Sequence, residues 1–275
     1  MKRHLNRIVA VLLLCCLLCP LGCAKEEQGL RVSVLDVGQS DCILLSFGEE
    51  HVLVDTGSAA ERDAVVAELA AHGVKRLSAL LVTHPHEDHF GNARTVVDKY
   101  EVDTLLLSAT PCEELGYTML RESALARGVE ICTVEGEHAF SLGDAECRVL
   151  CAMGQQEVND TSLVLRVALG ESVLLFMGDC EVSAERALVE GYGSLLDCDF
   201  LKVAHHGSRT ACSELFLQTA TPLVAAISCG EDNEYGFPHE EVLTALASAG
   251  AVVYRTDQGG TLEFFCTADQ ISVME

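Results

Sequence analysis

Apolar residues recur along the chain in short runs of strand length, separated by stretches in which they are spaced as on one face of a helix. Strand-like runs come first, at 30–35, 42–47 and 51–54, with a glycine turn between the last two. The stretch 59–72 has apolar residues at helical spacing and ends before Gly73. The opening of the chain therefore predicts a strand meander followed by a helix.

The same alternation of short strands and helices continues through the rest of the chain. Further strands are predicted at 77–82, 104–107, 129–134, 146–151, 162–169, 172–177, 200–204, 223–228, 252–255 and 261–266. Further helices are predicted at 93–100, 112–127, 182–190, 213–219 and 240–248. Two sheets back to back with helices outside are the arrangement that this order allows, which is a four-layer αββα sandwich of the α/β class. Residues 30–275 fit one large domain of this kind.

The first residues have the pattern of a secretory signal peptide, predicted at 1–22. Its apolar run, 8–19, is shorter than the roughly 20 residues that cross a bilayer. Glycine before Cys23 resembles a bacterial lipoprotein cleavage site, so Cys23 is the predicted lipidation site and 23–29 a polar tether. Pro20 departs from that pattern and leaves an ordinary cleaved signal as the alternative. We expect an exported protein, lipid-anchored at the outer face of the cell membrane or else secreted.

The composition is strongly acidic, because 42 Asp and Glu residues oppose 18 Lys and Arg residues and the formal net charge is −24. Loss of residues 1–22, which contain three basic and no acidic side chains, would take the charge from −24 to −27. A field of this sign repels polyanions, and 75–76 is the only pair of basic residues after the signal. The charge disfavours close binding of DNA, although the solubility of an exported protein also explains it.

Fourteen cysteines are a high number for one chain. Three lie in the predicted signal peptide and one is Cys23. The other ten form no Cys-x-x-Cys pair and lie mostly in apolar runs. This distribution favours buried free cysteines over a disulfide framework, whose connectivity the sequence would not reveal.

The densest cluster of chemically active side chains is the stretch 83–92, with three histidines and an aspartate within six residues. It follows an apolar strand and precedes a predicted helix. In such a loop His84 and His86 can bind one cation, while Asp88 and His89 turn toward a second cation beside it. Imidazole nitrogen and carboxylate oxygen suit Zn, Mn or Fe. A polar loop that is rich in histidine by chance is the alternative, and the spacing disfavours it.

The pattern His-x-His-x-Asp-His resembles the signature of the metallo-β-lactamase fold superfamily. Other motifs resemble, in their order, the hydrolase domain of ComEC-type competence proteins: 35–41 (Leu-Asp-Val-Gly-Gln-Ser-Asp), 54–57 (Val-Asp-Thr-Gly), 159–162 (Asn-Asp-Thr-Ser), 177–179 (Met-Gly-Asp), 202–208 (Lys-Val-Ala-His-His-Gly-Ser) and 233–236 (Asn-Glu-Tyr-Gly). The resemblance extends from about 30 to 265. It implies a metallo-β-lactamase-like αββα fold, metal-dependent hydrolysis and two divalent metal ions, Zn or Mn.

The resemblance also implies roles for individual residues. The expected metal ligands are His84, His86, Asp88, His89, Asp179 and His205. Asp179 is the expected bridging ligand, although a Gly-Asp pair is also an ordinary turn. Of the adjacent pair, His205 is preferred as the ligand and His206 as the group that faces substrate or donates a proton; the reverse remains open. Asp88 is expected to be catalytic as well, because it would orient the attacking hydroxide.

Aspartates at other strand ends are candidates for supporting roles. Asp36, Asp41 and Asp55 either orient ligand histidines through the ring N–H, or line the substrate cleft, or simply form turns. The resemblance places Asn159 and Ser208 in the same supporting group.

Two departures from the superfamily pattern change the expected site. The usual third histidine is missing, since Asn159 begins the motif at that position and His138, the only histidine in the interval, lies in a polar stretch expected to be exposed. A first metal with fewer nitrogen ligands and more oxygen favours Mn over Zn. Phe237 stands where the family usually has a histidine before proline, which puts that histidine's substrate contact in doubt.

The function implied by the resemblance is a phosphodiesterase, in one form a nuclease that degrades DNA outside the cell. ComEC-type proteins couple this domain to a transmembrane channel; we expect none in this chain and therefore no DNA uptake by it alone. The alternative enzyme hydrolyses a small ester, a lactam or a cell-envelope phosphodiester. The alternative from another class is a lipid-anchored binding protein with a vestigial metal site, which the full set of ligands disfavours.

Overall fold

Two β-sheets packed face to face organise residues 28–274, the part of the chain that the computed structural model describes. In spatial order, the strands of the first sheet are β15 (Ile271–Met274), β14 (Leu262–Cys266), β1 (Leu30–Val34), β2 (Ile43–Phe47), β3 (Glu50–Val54), β4 (Arg76–Val82), β5 (Glu101–Ser108) and β6 (Glu130–Val134). Those of the second sheet are β13 (Val252–Arg255), β12 (Val224–Ile227), β11 (Phe200–Lys202), β10 (Ser172–Phe176), β9 (Leu163–Leu169), β8 (Ala145–Cys151) and β7 (His138–Leu142). The predicted signal peptide, Cys23 and most of the tether lie outside the described residues.

Helices connect the strands and cover the outer faces of the sheets. They are α1 (Arg62–Ala71), α2 (Glu87–Phe90), α3 (Ala93–Lys99), α4 (Leu115–Ala126), α5 (Val182–Tyr192), α6 (Glu214–Ala220), α7 (Glu240–Ala249) and α8 (Thr256–Gly259). Short 3-10 turns lie at Ala59–Glu61, Asn159–Thr161, Gly193–Leu196 and Ala204–Gly207. Among these helices, which all lie within residues 28–274, none is long and apolar enough to cross a bilayer.

Three apolar clusters account for the layers. The central cluster lies between the sheets and takes side chains from both, among them Val54, Phe176 and Phe264. A second cluster fills the space between the second sheet and helices α5, α6 and α7. A third packs α1, α3 and α4 on the outer face of the first sheet. The predicted four-layer αββα sandwich is therefore confirmed.

Each sheet has a run of parallel strands that is covered on both faces. In the first sheet β3, β4, β5 and β6 are parallel, and in the second β10, β11, β12 and β13 are parallel. Strands buried on both faces need continuous apolar sequences, which explains runs such as the one at β4. Loops that leave the carboxyl ends of such strands collect at one edge of a sheet, where ligands usually bind.

Most predicted elements are present, and the differences lie at the margins of the sheets. Strands β7 and β15 were not predicted, because both are edge strands whose residues are mostly half-buried or exposed and give little apolar signal. Helix α4 begins at Leu115 instead of Cys112. His138, expected to be exposed, lies half-buried at the start of β7, with its Nδ1 atom 3.7 Å from the sulfur of Cys132.

The ten cysteines of the described residues are all free. Seven are buried and three are partly buried. Burial raises the pKa of the Cys42 and Cys180 thiols well above their ordinary value, so these side chains stay neutral. The sequence-based preference for free, buried cysteines is confirmed for this part of the chain.

Replacing Phe264 by alanine should lower the free energy of unfolding by about 3–5 kcal/mol. The ring is fully buried between the sheets, with its centroid 5.0 Å from that of Phe200. Phe265→Ala is the matched control, since the neighbouring ring is only half-buried on the other face of β14, and its loss should cost less. Urea denaturation of both variants measures the difference. Equal losses would contradict the placement of Phe264 in the central core.

Candidate metal centre

The predicted site residues lie on loops that leave neighbouring strands of the two sheets at a common edge. The first loop follows β4, and the segment with Asp179 follows β10. A third loop follows β11 and carries His205 and His206. Because the apolar strands fix where each loop starts, side chains far apart in sequence converge at this edge.

The loop after β4 presents its histidines from an extended segment and a single helical turn. His84 is fully buried, and its Nε2 atom lies 3.0 Å from Nδ1 of the partly buried His86. His86 has extended backbone angles at the start of α2, and that turn carries Asp88 and His89. Burial and the neighbouring charge of His89 lower the pKa of His84 well below its ordinary value, so it is neutral and able to act as a ligand.

Asp179 lies close to two histidines of the first loop, His84 and His89. Its Oδ1 atom is 3.3 Å from Nε2 of His89, and its Oδ2 atom is 3.8 Å from Nε2 of His84. Burial alone would raise the pKa of Asp179, but the neighbouring histidines, His89 foremost, lower it well below its ordinary value. The carboxylate is thus ionised and central, where a bridging ligand would have to be.

Gly178 makes this approach of Asp179 sterically feasible. A Cβ atom at Gly178 would lie 2.9 Å from Cβ of Ser162 and 3.0 Å from Cβ of Thr83, and the residue has a φ of +54°. Both conditions favour glycine. The backbone at Gly178 can therefore pack closely against Thr83 at the start of the first loop.

A compact group of donors forms around one point. Ligand atoms from Asp88, His89, Asp179 and His206 all lie within 4.8 Å of one another. Three of these atoms, His89 Nε2, Asp179 Oδ1 and His206 Nε2, are buried without an aligned hydrogen-bond partner. A buried polar atom without a partner costs about 1–3 kcal/mol, and three together at one point call for a ligand. Two imidazoles and two carboxylates suit a divalent metal ion, so the residues fit the metal that the sequence predicts.

Asp88 is the member of this group that reaches solvent, with 37% of its side chain exposed. Its Oδ2 atom lies 3.4 Å from Nε2 of His206. Burial by itself would raise the pKa of Asp88, but His206 and His89 outweigh burial and lower it to about 2. Asp88 is therefore ionised at neutral pH, and it lies between the buried members of the group and solvent.

His205 and His206 both adopt left-handed backbone angles, with φ of +48° and +53°. Such angles are uncommon for residues other than glycine, and they cluster at functional sites. His206 is 2% exposed and its Nδ1 atom lies 3.1 Å from the carbonyl of Ser228, which leaves Nε2 facing Asp88. His205 is less buried, and its Nδ1 atom lies 3.0 Å from Glu181. The sequence preferred His205 as ligand; the geometry brings His206 into the compact group, while Nε2 of His205 lies 3.9 Å from Asp179 at its border.

Asp55 holds His89 in place. Its Oδ2 atom lies 2.8 Å from Nδ1 of His89, and the carboxylate also accepts hydrogen bonds from the backbone N–H and hydroxyl of Thr83. A carboxylate on Nδ1 fixes the ring and directs Nε2 toward Asp179. Of the alternatives considered for Asp55, orientation of a histidine is the one that matches its contacts.

Three of the other four predicted supporting residues, all except Asp41, make contacts elsewhere. Asp36 is exposed, and its carboxylate accepts a hydrogen bond from Gly38 N–H, which is turn chemistry. The amide of Asn159 donates to Glu181 at 3.3 Å. The hydroxyl of Ser208 lies 2.9 Å from that of Thr210. These contacts stabilise the loops around the site.

Ser162 connects the first loop to Asp179, a role that the sequence analysis did not assign. Its hydroxyl lies 3.2 Å from Nδ1 of His84 and accepts a hydrogen bond from the backbone N–H of Asp179. It also donates to the carbonyl of Asn159 at 2.6 Å. A small hydroxyl side chain here thus links a histidine of the first loop to the central aspartate.

A buried ion pair lies beneath the site. Lys202 on β11 is fully buried, and its ammonium group donates to Oδ2 of Asp41 at 2.9 Å. Oδ1 of Asp41 is buried without a hydrogen bond and lies 3.6 Å from Nδ1 of His206. The sequence analysis missed the role of Lys202, although a lysine within an apolar strand was the available signal.

Comparisons with known proteins support the resemblance that the sequence motifs indicated. The sequence profile described as the metallo-beta-lactamase superfamily matches residues 35–145. The chain is 29% identical to ComE operon protein 3 of Bacillus subtilis, with 96% of this chain and 37% of that protein covered. It is 31% identical to competence protein ComA of Neisseria gonorrhoeae, with 88% of this chain and 33% of that protein covered. The chain thus spans only about a third of the length of these curated relatives.

A solved structure also matches the fold. The metallo-beta-lactamase fold protein YhfI from Bacillus subtilis superposes with a TM-score of 0.55 at 12% identity, covering 88% of this chain and 99% of that chain. At this identity the match shows the fold alone. The resemblance to the superfamily and to ComEC-type competence proteins is confirmed by the profile and the sequence relatives.

Lys202→Met should lower the free energy of unfolding by about 3–5 kcal/mol, because it leaves the carboxylate of Asp41 buried without its partner. The double variant Lys202→Met/Asp41→Leu should regain much of this loss, since an apolar pair of similar volume often replaces a buried ion pair without cost. Chemical denaturation measures both.

Arg76→Met is the matched control for that prediction. It breaks an exposed ion pair with Asp103 and should leave the denaturation midpoint almost unchanged. Equal midpoints for the Lys202 and Arg76 variants would show that the buried pair does not tie the sheets together.

Proposed function

We propose that this chain, a protein of the metallo-β-lactamase fold that resembles part of ComEC-type competence proteins, is a metal-dependent phosphodiesterase. The observation that carries the proposal is the compact group of Asp88, His89, Asp179 and His206, in which three buried ligand atoms have no aligned hydrogen-bond partner. A protein does not normally keep such atoms buried unless a ligand satisfies them.

Two neighbouring divalent cations, Zn or Mn, would supply Lewis acidity, charge stabilisation and a lowered pKa of coordinated water when bound. His84, His86 and Asp179 would hold one of them. Asp88, His89, Asp179 and His206 would hold the second. The absence of the family's usual third histidine from the motifs leaves fewer nitrogen ligands at the first position and favours Mn there.

Asp88 and the adjacent histidines have separate tasks in the reaction that we propose. The Asp88 carboxylate, with its lowered pKa and exposed edge, accepts a hydrogen bond from the attacking oxygen and orients it. The predicted proton donor was His206. With Nε2 of His206 directed at the metal ligands, His205 is the better-placed donor, since its ring is partly exposed and its Nδ1 atom lies 3.0 Å from the carboxylate of Glu181.

The substrate that we propose is a short phosphodiester and not a long nucleic acid. The net charge of −24 would repel a polyanion, whereas a single phosphodiester can be held by the metal ions alone. A cell-envelope phosphodiester meets the same condition. Hydrolysis of a small ester or lactam is the alternative for the same site.

The proposal places the enzyme outside the cell. The leader-like pattern of residues 1–22 supports export, and Cys23 supports attachment through a lipid. Both segments lie outside the described residues.

Asp88→Ala should abolish turnover of a generic phosphodiester, bis(p-nitrophenyl) phosphate, because it removes a metal ligand and the group that orients the nucleophile. A loss of at least about 100-fold in kcat is expected. The circular dichroism spectrum should remain that of the wild type, since Asp88 is partly exposed. Asp36→Ala is the control, because Asp36 is exposed and forms a turn, and it should retain activity. Unchanged hydrolysis by the Asp88 variant would refute the mechanism.

Metal content should separate the roles of the adjacent histidines. Elemental analysis of the wild type after loading with Mn or Zn should give about two ions per chain, as in other two-metal sites. His206→Ala should lose about one ion, whereas His205→Ala should keep both and lose activity. The opposite result would restore His205 as the ligand. No bound metal in the wild type would favour the binding-protein alternative.

A further inference from the structure

Three nearly parallel rings form a row that begins at the protein surface and ends at His206 of the metal-binding group. The Tyr235 ring packs on that of Phe237, with centroids 5.4 Å apart and planes 19° apart. The Phe237 ring packs in turn on His206, with centroids 6.4 Å apart and planes 17° apart. Tyr235 is 57% exposed, Phe237 is half-buried and His206 is buried. The rings thus form a continuous stack that ends at a residue of the site.

The loop that carries these rings is held rigidly by Asn233. Its side chain donates to the carbonyls of Gly230 and Phe237 at 2.9 and 2.8 Å, and it accepts from the N–H of Phe237 at 2.9 Å. These three hydrogen bonds close the loop across its own base. Tyr235 is therefore presented from a turn that is already ordered, and little conformational entropy would be lost when a ligand binds to it.

Both ends of the loop are also attached to the site. Gly230 donates its N–H to the side chain of Gln39 at 3.0 Å. Pro238 packs against Gly207, where a Cβ atom would lie 2.5 Å from Cβ of Pro238, and His239 donates its N–H to the carbonyl of Gly207. Since Gly207 directly follows His206, the position of the rings is coupled to the position of the ligand histidine.

We propose that Tyr235, supported by Phe237, is a stacking platform that binds the base of a nucleotide while its phosphodiester lies at the metal-binding group. The inference rests on the proposed phosphodiesterase function and names its substrate class. An exposed aromatic face beside a phosphoryl site binds planar, π-rich groups, and stacking of a base on such a face tolerates any of the bases.

The charges around the platform limit how much of a nucleic acid can bind there. Glu231, Asp232 and Glu234 are all exposed on the same loop. Three carboxylates next to the platform repel additional phosphates, since neighbouring like charges raise the cost of binding. The platform therefore suits a nucleotide ester or a dinucleotide, and not a polynucleotide strand.

The test is a fluorescence titration of the full, metal-loaded chain with 2-aminopurine riboside 5′-monophosphate, whose emission is quenched when the base stacks. We expect quenching by the wild type and a dissociation constant that rises about tenfold in Tyr235→Ser. Tyr235→Phe should bind like the wild type, because it keeps the ring. Leu215→Ser, which removes an exposed apolar side chain on α6, is the matched control and should change nothing.

Competition defines which part of the ligand the platform recognises. Adenosine monophosphate should displace the probe about ten times more effectively than ribose 5-phosphate, which has no base. Tyr235→Ser should remove this difference. Equal displacement by the two competitors, or wild-type affinity in Tyr235→Ser, would overturn the platform.

Three further outcomes distinguish base binding at Tyr235 from the proposed hydrolysis and from dimer contact. Quenching that depends on Tyr235, together with no cleavage of bis(p-nitrophenyl) phosphate, would support the base site and refute the proposed hydrolysis. Cleavage without Tyr235-dependent quenching would do the reverse. Light scattering that shows a dimer dissociated by Tyr235→Ser would assign the ring to contact with a second copy of the chain and overturn the inference.

Discussion

The buried contact between Lys202 and Asp41 is the interaction on which the geometry of the site depends. Lys202 belongs to the second sheet, and Asp41 to the loop between β1 and β2 of the first sheet. Neither charge reaches water, so separating the two sheets at this edge would leave two unpaired charges in an apolar interior. The donors of the candidate metal centre come from both sheets as well, with His89 on the first side and Asp179 on the second. A shift of one sheet relative to the other would therefore change the distances between the side chains of the candidate metal centre.

The sequence predicts those parts of the site whose chemistry is unusual for their surroundings. Three histidines within six residues have no packing explanation, and they converge as expected. The strands β3 and β4 are predictable because each ends in a run of apolar residues that are buried. Edge strands such as β15 have no such run, so their sequences resemble loops.

Residue roles that depend on the direction in which a side chain points could not be predicted from the sequence. Asp36 and Asp55 both follow strands and both have a glycine within two residues, yet only the carboxylate of Asp55 points at a histidine. The same limit applies to the adjacent pair His205 and His206. Both positions hold a histidine with left-handed backbone angles, and only the contacts of each ring distinguish them, since Nδ1 of His206 lies against the carbonyl of Ser228 and Nδ1 of His205 against Glu181. To predict the role of Lys202, one would have to know that its partner is Asp41, 161 positions away in sequence.

Two consecutive left-handed residues have a consequence for when the candidate metal centre can form. Each of these conformations costs of the order of 1–3 kcal/mol, so the isolated segment 204–207 would not hold its histidines in this arrangement. The assembled sandwich imposes it, through hydrogen bonds such as that from the N–H of His205 to the carbonyl of Gly178. The arrangement of these side chains is then a property of the finished domain. A chain still emerging during synthesis would carry the same histidines without this arrangement.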